Sequence, residues 1–444
     1  MRPNATLTKA TLTGALGGLL FGFDTVVIAG AIDALVGLYH LSPLEKGITV
    51  AIGLVGTVIG ALAAGTVGQR LGGRETLRIT AVLYVASAVG CALAWGWTSF
   101  MFFRFVGGLG IGASSVLGPV YIAELAPAKW RGRLVAAFQL NVVFGVMAAY
   151  ISNYFFRTLH LGAWEWRSQI GIAAIPAVVF LVLLFSIPRS PRWSAAQGQF
   201  ADALAVIKSM GEPNPEAELA DIRAALEQEH ASAHEPVFRW KYRYPLFLAI
   251  SIGAFNQLAG INAILYYINN IFAAAGFSQI SSDQQSIAIG ATNFCCTFLG
   301  MALIDKLGRK ALLLIGAAGD AMCLAGVAWL FATHSHPRAL LGFLVAHIAF
   351  FSVSQGAVIW VYIGEVFPTS VRSKGQGIGS ASHWFMATVI AMLFPVVVHD
   401  ISTATPFEFF AVMTVVQFIV VLFFYPETKG LTLEELQRRL VPGD

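Results

Sequence analysis

Two charged residues lie inside long apolar stretches of the chain, where an isolated charge is unfavourable. Asp24 occurs in an apolar run at about residues 12–35, and Arg104 occurs among the apolar residues 102–106. A carboxylate at the depth of a membrane-spanning helix costs several kcal/mol, so it usually faces a polar cavity and has a role there. Two interpretations stay open: a structural ion pair that joins two helices, or a proton-binding acid controlled by an arginine.

Polar side chains with a different chemistry recur along other apolar stretches. Most are amides, and an amide offers both a hydrogen-bond donor and an acceptor, as a hydroxyl group does. Buried amides can merely join neighbouring helices, or they can line a site for a polar ligand. These amides and the rings near them are Gln139, Asn256, Gln257, Asn262, Asn293, Trp360, His383 and Trp384.

The composition indicates which elements position these residues. Of the 444 residues, 57% are hydrophobic and 12% are charged, and the mean hydropathy is +0.71. About twelve segments are long and apolar enough to cross a bilayer as helices, which predicts an all-α integral membrane protein. The four cysteines fall in these segments without histidine or carboxylate at ligand spacing, so neither a disulfide nor a metal site is expected.

Positive charges concentrate in alternate loops. The loops after the second, fourth, eighth and tenth segments are basic, whereas the other short loops are nearly free of lysine and arginine. The positive-inside rule therefore predicts that the basic loops and both termini are cytoplasmic. The exceptions in the opposite loops are Lys46, Arg157, Arg167 and Arg338.

Sequence motifs recur at a nearly constant offset. Residues 69–74 (QRLGGR) return as residues 305–310 (DKLGRK), 236 positions later. Residues 121–127 (YIAELAP) return as residues 362–368 (YIGEVFP), 241 positions later. This duplication predicts two six-helix halves in parallel repeat, with a substrate site at their interface. The predicted halves are residues 1–193 and 243–428.

Two further segments complete the predicted domain organisation. Residues 194–242 hold Leu219, Ile222 and Leu226 at helical spacing, which predicts a cytoplasmic linker of amphipathic helices. Residues 429–444 predict a cytoplasmic C-terminal helix. No polar segment carries a nucleophile–base pattern or a phosphate-binding loop, so neither an enzyme nor an ATP-driven pump is expected.

Several short motifs follow one another in a characteristic order. They are residues 131–133 (RGR), 188–193 (PRSPRW), 257–262 (QLAGIN), 266–267 (YY), 364–368 (GEVFP) and 426–430 (PETKG). In this order they resemble the sugar porters of the major facilitator superfamily, over nearly the whole chain. That family includes bacterial proton-coupled xylose and glucose symporters and animal facilitative glucose transporters. The resemblance implies the major facilitator fold, with twelve transmembrane helices in two six-helix repeats.

The resemblance assigns roles to the polar residues described above. It implies that the amides and rings contact a sugar, which needs hydrogen-bonding groups for its hydroxyls and an aromatic face for its C–H side. Asn256 and His383 depart from the family pattern, which commonly has glutamine at the first position and glutamine or asparagine at the second. The site stays polar, but the preferred sugar is left open. Asp24 and Arg104 match the family's acid and arginine, which implies a role in proton coupling.

The resemblance also implies a cytoplasmic gate, a network of charges that keeps the inner side closed in the outward-facing state. Gln69, Gly73 and Arg189 depart from the family pattern, so we expect a gate that is less tightly held than in relatives. The alternative is that these charges only fix the topology. The expected gate residues are Arg70, Arg74, Glu124, Arg131, Lys306, Arg309, Glu365 and Arg372.

The implied function is import of a monosaccharide by proton symport through alternating access, with a glucose-like sugar favoured among hexoses and pentoses. Proton-coupled members tend to have an acid at the position of Asp24, and animal facilitators tend to have a neutral residue. A facilitative uniporter and a transporter-like sugar sensor stay open as alternatives. The expected partners are the sugar, the proton and the lipid of the plasma membrane (the inner membrane in bacteria), with no cofactor, no nucleic acid and a monomer as the functional form.

Two titratable residues in the predicted spans are not explained by these roles. Asp320 lies in the middle of the ninth apolar segment, where the family is usually apolar, and the sequence assigns it no role. His347 lies in the tenth segment and could titrate near neutral pH. We interpret it as a packing residue.

Overall fold

The chain is helical throughout the part that the structure describes. In this computed structural model, that part is residues 4–127, 130–232, 236–334, 336–368, 371–431 and 433–441, and it contains no strand. Twelve helical segments within it are long and apolar enough to cross a membrane, which confirms the predicted all-α membrane architecture. Residues 233–235 of the predicted linker, and 432 and 442–444 of the predicted C-terminal segment, lie outside the described part.

Most spans are single long helices, and four of them are interrupted. The α-helices are α1 (Ala5–Val26), α2 (Ile28–Tyr39), α3 (Pro43–Leu71), α4 (Gly73–Ala92), α5 (Trp97–Leu125), α6 (Arg131–Thr158), α7 (Glu165–Gly171), α8 (Ala174–Leu184), α9 (Pro191–Ala196), α10 (Phe200–Ser209), α11 (Pro215–Ser232), α12 (Arg243–Leu258), α13 (Ile261–Ala274), α14 (Gln279–Leu307), α15 (Arg309–Thr333), α16 (Ala339–Val353), α17 (Gln355–Glu365), α18 (Arg372–Asp400), α19 (Thr405–Phe424) and α20 (Leu433–Leu440). Short 3-10 turns occupy Gly162–Trp164 and Trp240–Tyr242.

Two of the interruptions lie next to predicted site residues. Gly260 separates α12 from α13 at φ +81°, where a larger residue is strained and its Cβ would overlap the ring of Phe410. Ser354 separates α16 from α17 at φ −106° and ψ −90°. Broken helices at membrane depth free backbone groups from the helical hydrogen-bond pattern, and in transporters such breaks line the substrate site.

By packing, the described chain forms two compact units, which we call unit 1 and unit 2. Unit 1 comprises Met1–Thr25, Val55–Val146 and Ile170–Glu235. Its core lies where α4 packs on α5 and α8, around Tyr84 and Phe180. The helices α9, α10 and α11 of the linker region pack on one another through Ala195, Ala203, Ile207 and Leu219.

Unit 2 comprises Val26–Leu54, Met147–Gln169 and Pro236–Asp444. Within it, α15 packs on α16 and α19, and α12 packs on α18. The rings of Tyr362 and Tyr425 stack in its core with centroids 5.2 Å apart. Two segments of the predicted N-terminal half therefore share this unit with the predicted C-terminal half, and α2 packs directly on α13.

Candidate functional site

Asp24 on α1 and Arg104 on α5 are in contact in unit 1. Their side chains are 7% and 4% exposed, and Nη1 of Arg104 donates a hydrogen bond of 3.2 Å to Oδ1 of Asp24. The same Nη1 also donates to the main-chain carbonyl of Asp24 at 3.2 Å. The carboxylate and its counter-charge thus form a pair that is almost removed from solvent.

This pair does not use all of its hydrogen-bonding capacity. Oδ2 of Asp24 and Nε of Arg104 are buried, and neither has a hydrogen-bond partner among the described residues. Oδ2 of Asp24 faces Gly107. A Cβ added at Gly107 would lie 3.4 Å from this oxygen and would overlap the hydroxyl of Ser87. Because one carboxylate oxygen stays unpaired, Asp24 can accept a proton there and keep its bond to Arg104.

A polar group in unit 2 joins the end of α12 to α18. It consists of Asn256, Gln257 and His383, and we call it the Gln257 group. Nε2 of Gln257 lies 3.1 Å from Oδ1 of Asn256 and 3.2 Å from Nε2 of His383. All three residues are buried. Oε1 of Gln257 is also buried, with no partner in the described part of the chain. An unsatisfied acceptor of this kind is available to a hydroxyl group of a ligand.

Two tryptophans flank His383. The ring centroid of Trp360, on α17, lies 5.1 Å from that of His383, and the centroid of Trp384 lies 4.8 Å from it. Trp360 is 38% exposed, whereas Trp384 is 4% exposed. An accessible indole face beside buried amides can contact the apolar and polar sides of a sugar ring at the same time.

The three remaining predicted contact residues have other positions. Oδ1 of Asn293, on α14, accepts hydrogen bonds from Ser352 at 3.0 Å and from Thr297 at 3.3 Å. Asn262 is half-buried in the first turn of α13, and Gln139 is half-buried on α6 in unit 1. The structure therefore brings together Asn256, Gln257, Trp360, His383 and Trp384.

Two of the predicted gate residues form an ion pair in unit 2. Nη2 of Arg309 donates to Oε1 of Glu365 at 2.9 Å. The hydroxyl of Thr428 donates to Oε2 of the same carboxylate at 2.6 Å. Because Arg309 opens α15 and Glu365 closes α17, this pair connects the basic loop after α14 to the end of the interrupted tenth span.

The other predicted gate residues lie at helix ends. In unit 1, Arg74 pairs with Glu75 at 2.6 Å, Arg131 donates to the carbonyl of Ala123 at 3.1 Å, and Arg70 is exposed. Glu124 is half-buried at the end of α5. In unit 2, the remaining two contribute to backbone contacts. The carbonyl of Lys306 accepts from Lys429 at 2.6 Å, and Arg372 donates to the carbonyl of Phe367 at 3.3 Å.

The family described as "Sugar (and other) transporter" matches residues 10–440. The chain belongs to the sugar transporter family. It is therefore a multi-pass membrane transporter and not an enzyme, as predicted.

Individual relatives resemble the chain along its whole length. The arabinose-proton symporter of Bacillus subtilis (strain 168) is 33% identical, with 99% of this chain and 98% of that protein covered. The D-xylose-proton symporter of Escherichia coli (strain K12) is 33% identical, with 96% and 94% covered. A structure of the xylose transporter XylE from E. coli, in a partially occluded inward open conformation, matches with a TM-score of 0.87 and 31% identity, over 97% of this chain and 100% of that chain. These matches confirm the major facilitator fold.

In this member of the sugar transporter family, Arg157 and Lys46 both form ion pairs. In the sequence they were exceptions to the concentration of positive charge in alternate loops. Nε of Arg157, near the end of α6, donates to Oδ2 of Asp283 on α14, and Nη2 of Arg157 donates to the carbonyl of Gly30 at 3.1 Å. Lys46 pairs with Asp33 at 3.3 Å. The sequence marked each of these residues as unusual, because it is basic and lies in a loop expected to be neutral. No sequence pattern showed which carboxylate it contacts.

Asp283 also belongs to a wider set of polar contacts, which we call the Arg157 cluster: Arg157, Asp283, Asn269 and Ser286. Nδ2 of Asn269 donates to Oδ1 of Asp283 at 2.7 Å and to the carbonyl of Ala29 at 3.3 Å. Ser286 donates to Oδ1 of Asn269 at 2.7 Å. The Arg157 cluster therefore joins α2 and α6 to α13 and α14, near the end of α14 opposite to its basic end.

Proposed function

We propose that this protein imports a monosaccharide by proton symport through alternating access. The observation that carries the proposal is the buried pair of Asp24 and Arg104, in which one carboxylate oxygen is left without a hydrogen bond. A pair with a purely structural role gains most when every buried polar atom is satisfied. The names of the relatives, an arabinose-proton and a D-xylose-proton symporter, support both the substrate class and the coupling ion.

The coupling follows from two opposing effects on Asp24. Burial favours the neutral, protonated acid, and the nearby guanidinium of Arg104 favours the carboxylate. A movement that changes the distance between the two groups therefore changes the proton affinity. If that movement accompanies alternating access, the proton enters on one side of the membrane and leaves on the other.

The proposed sugar site is centred on Gln257, Asn256 and His383, with Trp360 as its aromatic wall. The unpaired Oε1 of Gln257 accepts a sugar hydroxyl, and the exposed face of Trp360 covers the C–H side of the ring. Gln139, Asn262, Asn293 and Trp384 are included because of the family resemblance. A glucose-like hexose or a pentose fits this chemistry, which contains no charged group for a charged sugar.

We further propose how the protein is oriented in the membrane and on which side each of its gates lies. The basic loops and both termini face the cytoplasm of a bacterial cell, with the protein acting as a monomer in the inner membrane. The Arg157 cluster then lies on the outer side, where it holds α2 and α6 to α13 and α14. The predicted cytoplasmic gate would keep the inner side closed in the outward-facing state.

The test is uptake of labelled sugar into proteoliposomes, with and without an inward proton gradient, over a panel of glucose, xylose, arabinose, galactose and fructose. We expect the wild type to concentrate one of these sugars only when the gradient is present. Asp24→Asn should abolish accumulation and retain exchange of sugar at equal concentrations. The matched control is Asp400→Asn, at an exposed carboxylate at the end of α18. Accumulation that survives in Asp24→Asn would contradict the assignment, and gradient-independent uptake by the wild type would identify a uniporter.

A further inference from the structure

A second buried acid in unit 2 has a titratable partner. Oδ1 of Asp320, on α15, lies 2.9 Å from Nδ1 of His347, on α16, and both side chains are 0% exposed. Nε2 of Gln355, the first residue of α17, donates to Oδ2 of Asp320 at 3.5 Å. Three helices thus meet at one carboxylate in the interior of the unit. We call Asp320, His347 and Gln355 the Asp320 cluster.

The surroundings of the Asp320 cluster are apolar. The ring of Phe351 lies 6.3 Å from that of His347, and Gly319 faces the ring of Phe350. His347 and Gln355 are the polar side chains within hydrogen-bonding distance of Asp320 in the described chain. Oδ1 of Asp320 and Nδ1 of His347 are close, but they do not form a hydrogen bond, and Nε2 of His347 and Oε1 of Gln355 also have no hydrogen-bond partner in the ranges that the structure describes. Among the described residues, His347 is therefore the one basic side chain that contacts the carboxylate.

Other titratable groups on the surrounding helices do not alter this charge balance. Cys323 lies one turn along α15 and is close enough for the charge of Asp320 to act on its thiol. On α14 and α19, which pack on α15 and α16, Cys295 and Glu408 are exposed and Cys296 is half-buried. The polar contacts of Asp320 in the described chain are therefore those within its own cluster.

The charge balance determines how many protons the pair holds. An uncompensated charge in an apolar interior costs several kcal/mol even after relaxation. A neutral imidazole beside a carboxylate has a net charge of −1. Adding one proton gives either an imidazolium and a carboxylate or an imidazole and a carboxylic acid, and both have no net charge. The protonated form is therefore favoured in this environment, and the pair can bind one proton reversibly.

We propose that Asp320 and His347 form a proton-binding site, separate from Asp24, whose occupancy stabilises the packing of α17 on α15. Gln355 connects the site to the break in the tenth span, because it follows Ser354 directly and opens α17. Gly316 of α15 lies so close to Ser354 that a Cβ added at Gly316 would overlap the hydroxyl of Ser354. A shift of α17 therefore moves Gln355 relative to Asp320 and changes the proton affinity. By thermodynamic linkage, binding of the proton changes the position of α17 in return.

This connection reaches two candidate sugar contacts. Trp360 lies on α17, five residues beyond Gln355. Asn293 accepts its hydrogen bond from Ser352, two residues before the break. A proton at the Asp320 cluster therefore influences the candidate sugar site through α17. This last step rests on the proposed transport function, whereas the proton site itself does not.

Proton binding is tested directly on the purified full-length protein in detergent, without sugar or transport. An acid–base titration in weak buffer counts the protons released between mildly acidic and alkaline pH. We expect the double variant Asp320→Asn/His347→Gln to release about one proton fewer than the wild type, because it removes the one proton that the pair holds. The matched control is Asp400→Asn/His399→Gln, which removes an exposed His–Asp pair with a contact of 2.7 Å. Equal counts for the wild type and the Asp320 variant would overturn the site.

Two further measurements complete the test. If the double variant fails to fold, ¹⁵N spectra of histidine in the wild type replace it. A buried imidazole whose ¹⁵N shifts change with pH supports the site, whichever of the two residues holds the proton, and shifts that do not change with pH overturn it. For the link to α17, the protection of residues 355–365 against hydrogen exchange, relative to the intrinsic exchange rate at each pH, should fall several-fold as the pH rises in the wild type and stay constant in the variant. An identical pH dependence in both proteins would contradict the link. Loss of sugar accumulation in Asp24→Asn leaves each of these results unchanged, so the two proposals fail separately.

Discussion

Arg157 and Asp283 form a buried ion pair between α6 and α14, although 126 residues separate them in the chain. The side chain of Asp283 is 1% exposed and that of Arg157 is 14% exposed. Arg157 also reaches the carbonyl of Gly30 on α2, so a single guanidinium connects three helices. Because the pair joins parts of both sequence repeats within unit 2, its rupture is required before these helices can separate.

Neutralising Arg157 should favour opening of this face. Arg157→Gln leaves the carboxylate of Asp283 buried without its counter-charge, which costs about 3–5 kcal/mol for a buried pair. We expect hydrogen exchange in residues 261–274 of α13 to rise at least tenfold. Arg338→Gln, at an exposed basic residue in another loop expected on the same side, should leave this exchange unchanged. Restored protection in the exchanged pair Arg157→Asp/Asp283→Arg would support a direct interaction, and unchanged exchange in Arg157→Gln would contradict a closing role.

Glu365 is expected to hold the end of α17 against α15. Glu365→Gln weakens the contact with Arg309 and keeps a side chain that can still accept from Thr428. Because both partners are partly exposed, with 22% and 11% of their side chains accessible, the loss should be about 1 kcal/mol. Faster labelling of a cysteine reporter in the basic loop after α14, and a change in sugar exchange, are the expected results. Glu216→Gln, at an exposed linker residue paired with Lys208, is the control. Unchanged labelling and exchange in Glu365→Gln would argue against a gate at this position.

The parts of the molecule that the sequence predicted are those that depend on local patterns. Twelve spans follow from apolar length, and the contact of Asp24 with Arg104 was foreseeable because each stands alone in an apolar run. The amides could be recognised as one group because amides are rare at membrane depth, yet Asn293 bonds to Ser352 and Thr297 instead of the Gln257 group.

The unexpected contacts depend on how helices rotate and cross. His347 was interpreted as a packing residue and Asp320 had no assigned role, but the two lie 2.9 Å apart. Hydropathy alone does not show that α15 and α16 turn these two residues toward each other, because both helices are apolar on nearly every side. Sequence patterns likewise did not show that Arg157 pairs with Asp283, because the two residues lie on spans that are not adjacent in the chain. Arg157 was visible only as an exception in the charge pattern of the loops.

Gln257 is expected to bind the sugar by a hydrogen bond in addition to shaping the site. Gln257→Leu removes the buried acceptor Oε1 and the contact with His383 while it keeps most of the volume. The loss of one or two hydrogen bonds, about 1–1.5 kcal/mol, should raise the KM for sugar roughly tenfold with a smaller effect on kcat. Gln417→Leu is a matched control, because it removes a buried amide on α19 outside the Gln257 group. Equal KM values for the two variants would exclude a specific contact at Gln257.

Glu427 stabilises the start of α15 from the segment that follows α19. Oε1 accepts the backbone N–H groups of Arg309, Thr428 and Lys429, each at 2.9 Å, and Oε2 accepts that of Lys310 at 3.0 Å. Burial raises the pKa of this carboxyl, but the four N–H donors outweigh burial and lower the pKa below its ordinary value of 4.5. A carboxylate at a helix N-terminus is also favoured by the helix dipole. The ionised form is therefore the one that the fold prefers.

The effect of pH on this contact has a definite sign. Because the folded protein lowers the pKa, the stabilisation is complete above pH 4.5 and is lost as the pH falls through the folded-state pKa. Glu427→Gln should reduce the free energy of unfolding by about 1–2 kcal/mol at neutral pH. The difference between the two proteins should then shrink as the pH is lowered below 4.5, because protonation makes wild-type Glu427 resemble glutamine. Thermal unfolding of both proteins in the same detergent over this range measures the difference, and a gap that stays constant would show that the charge of Glu427 contributes nothing.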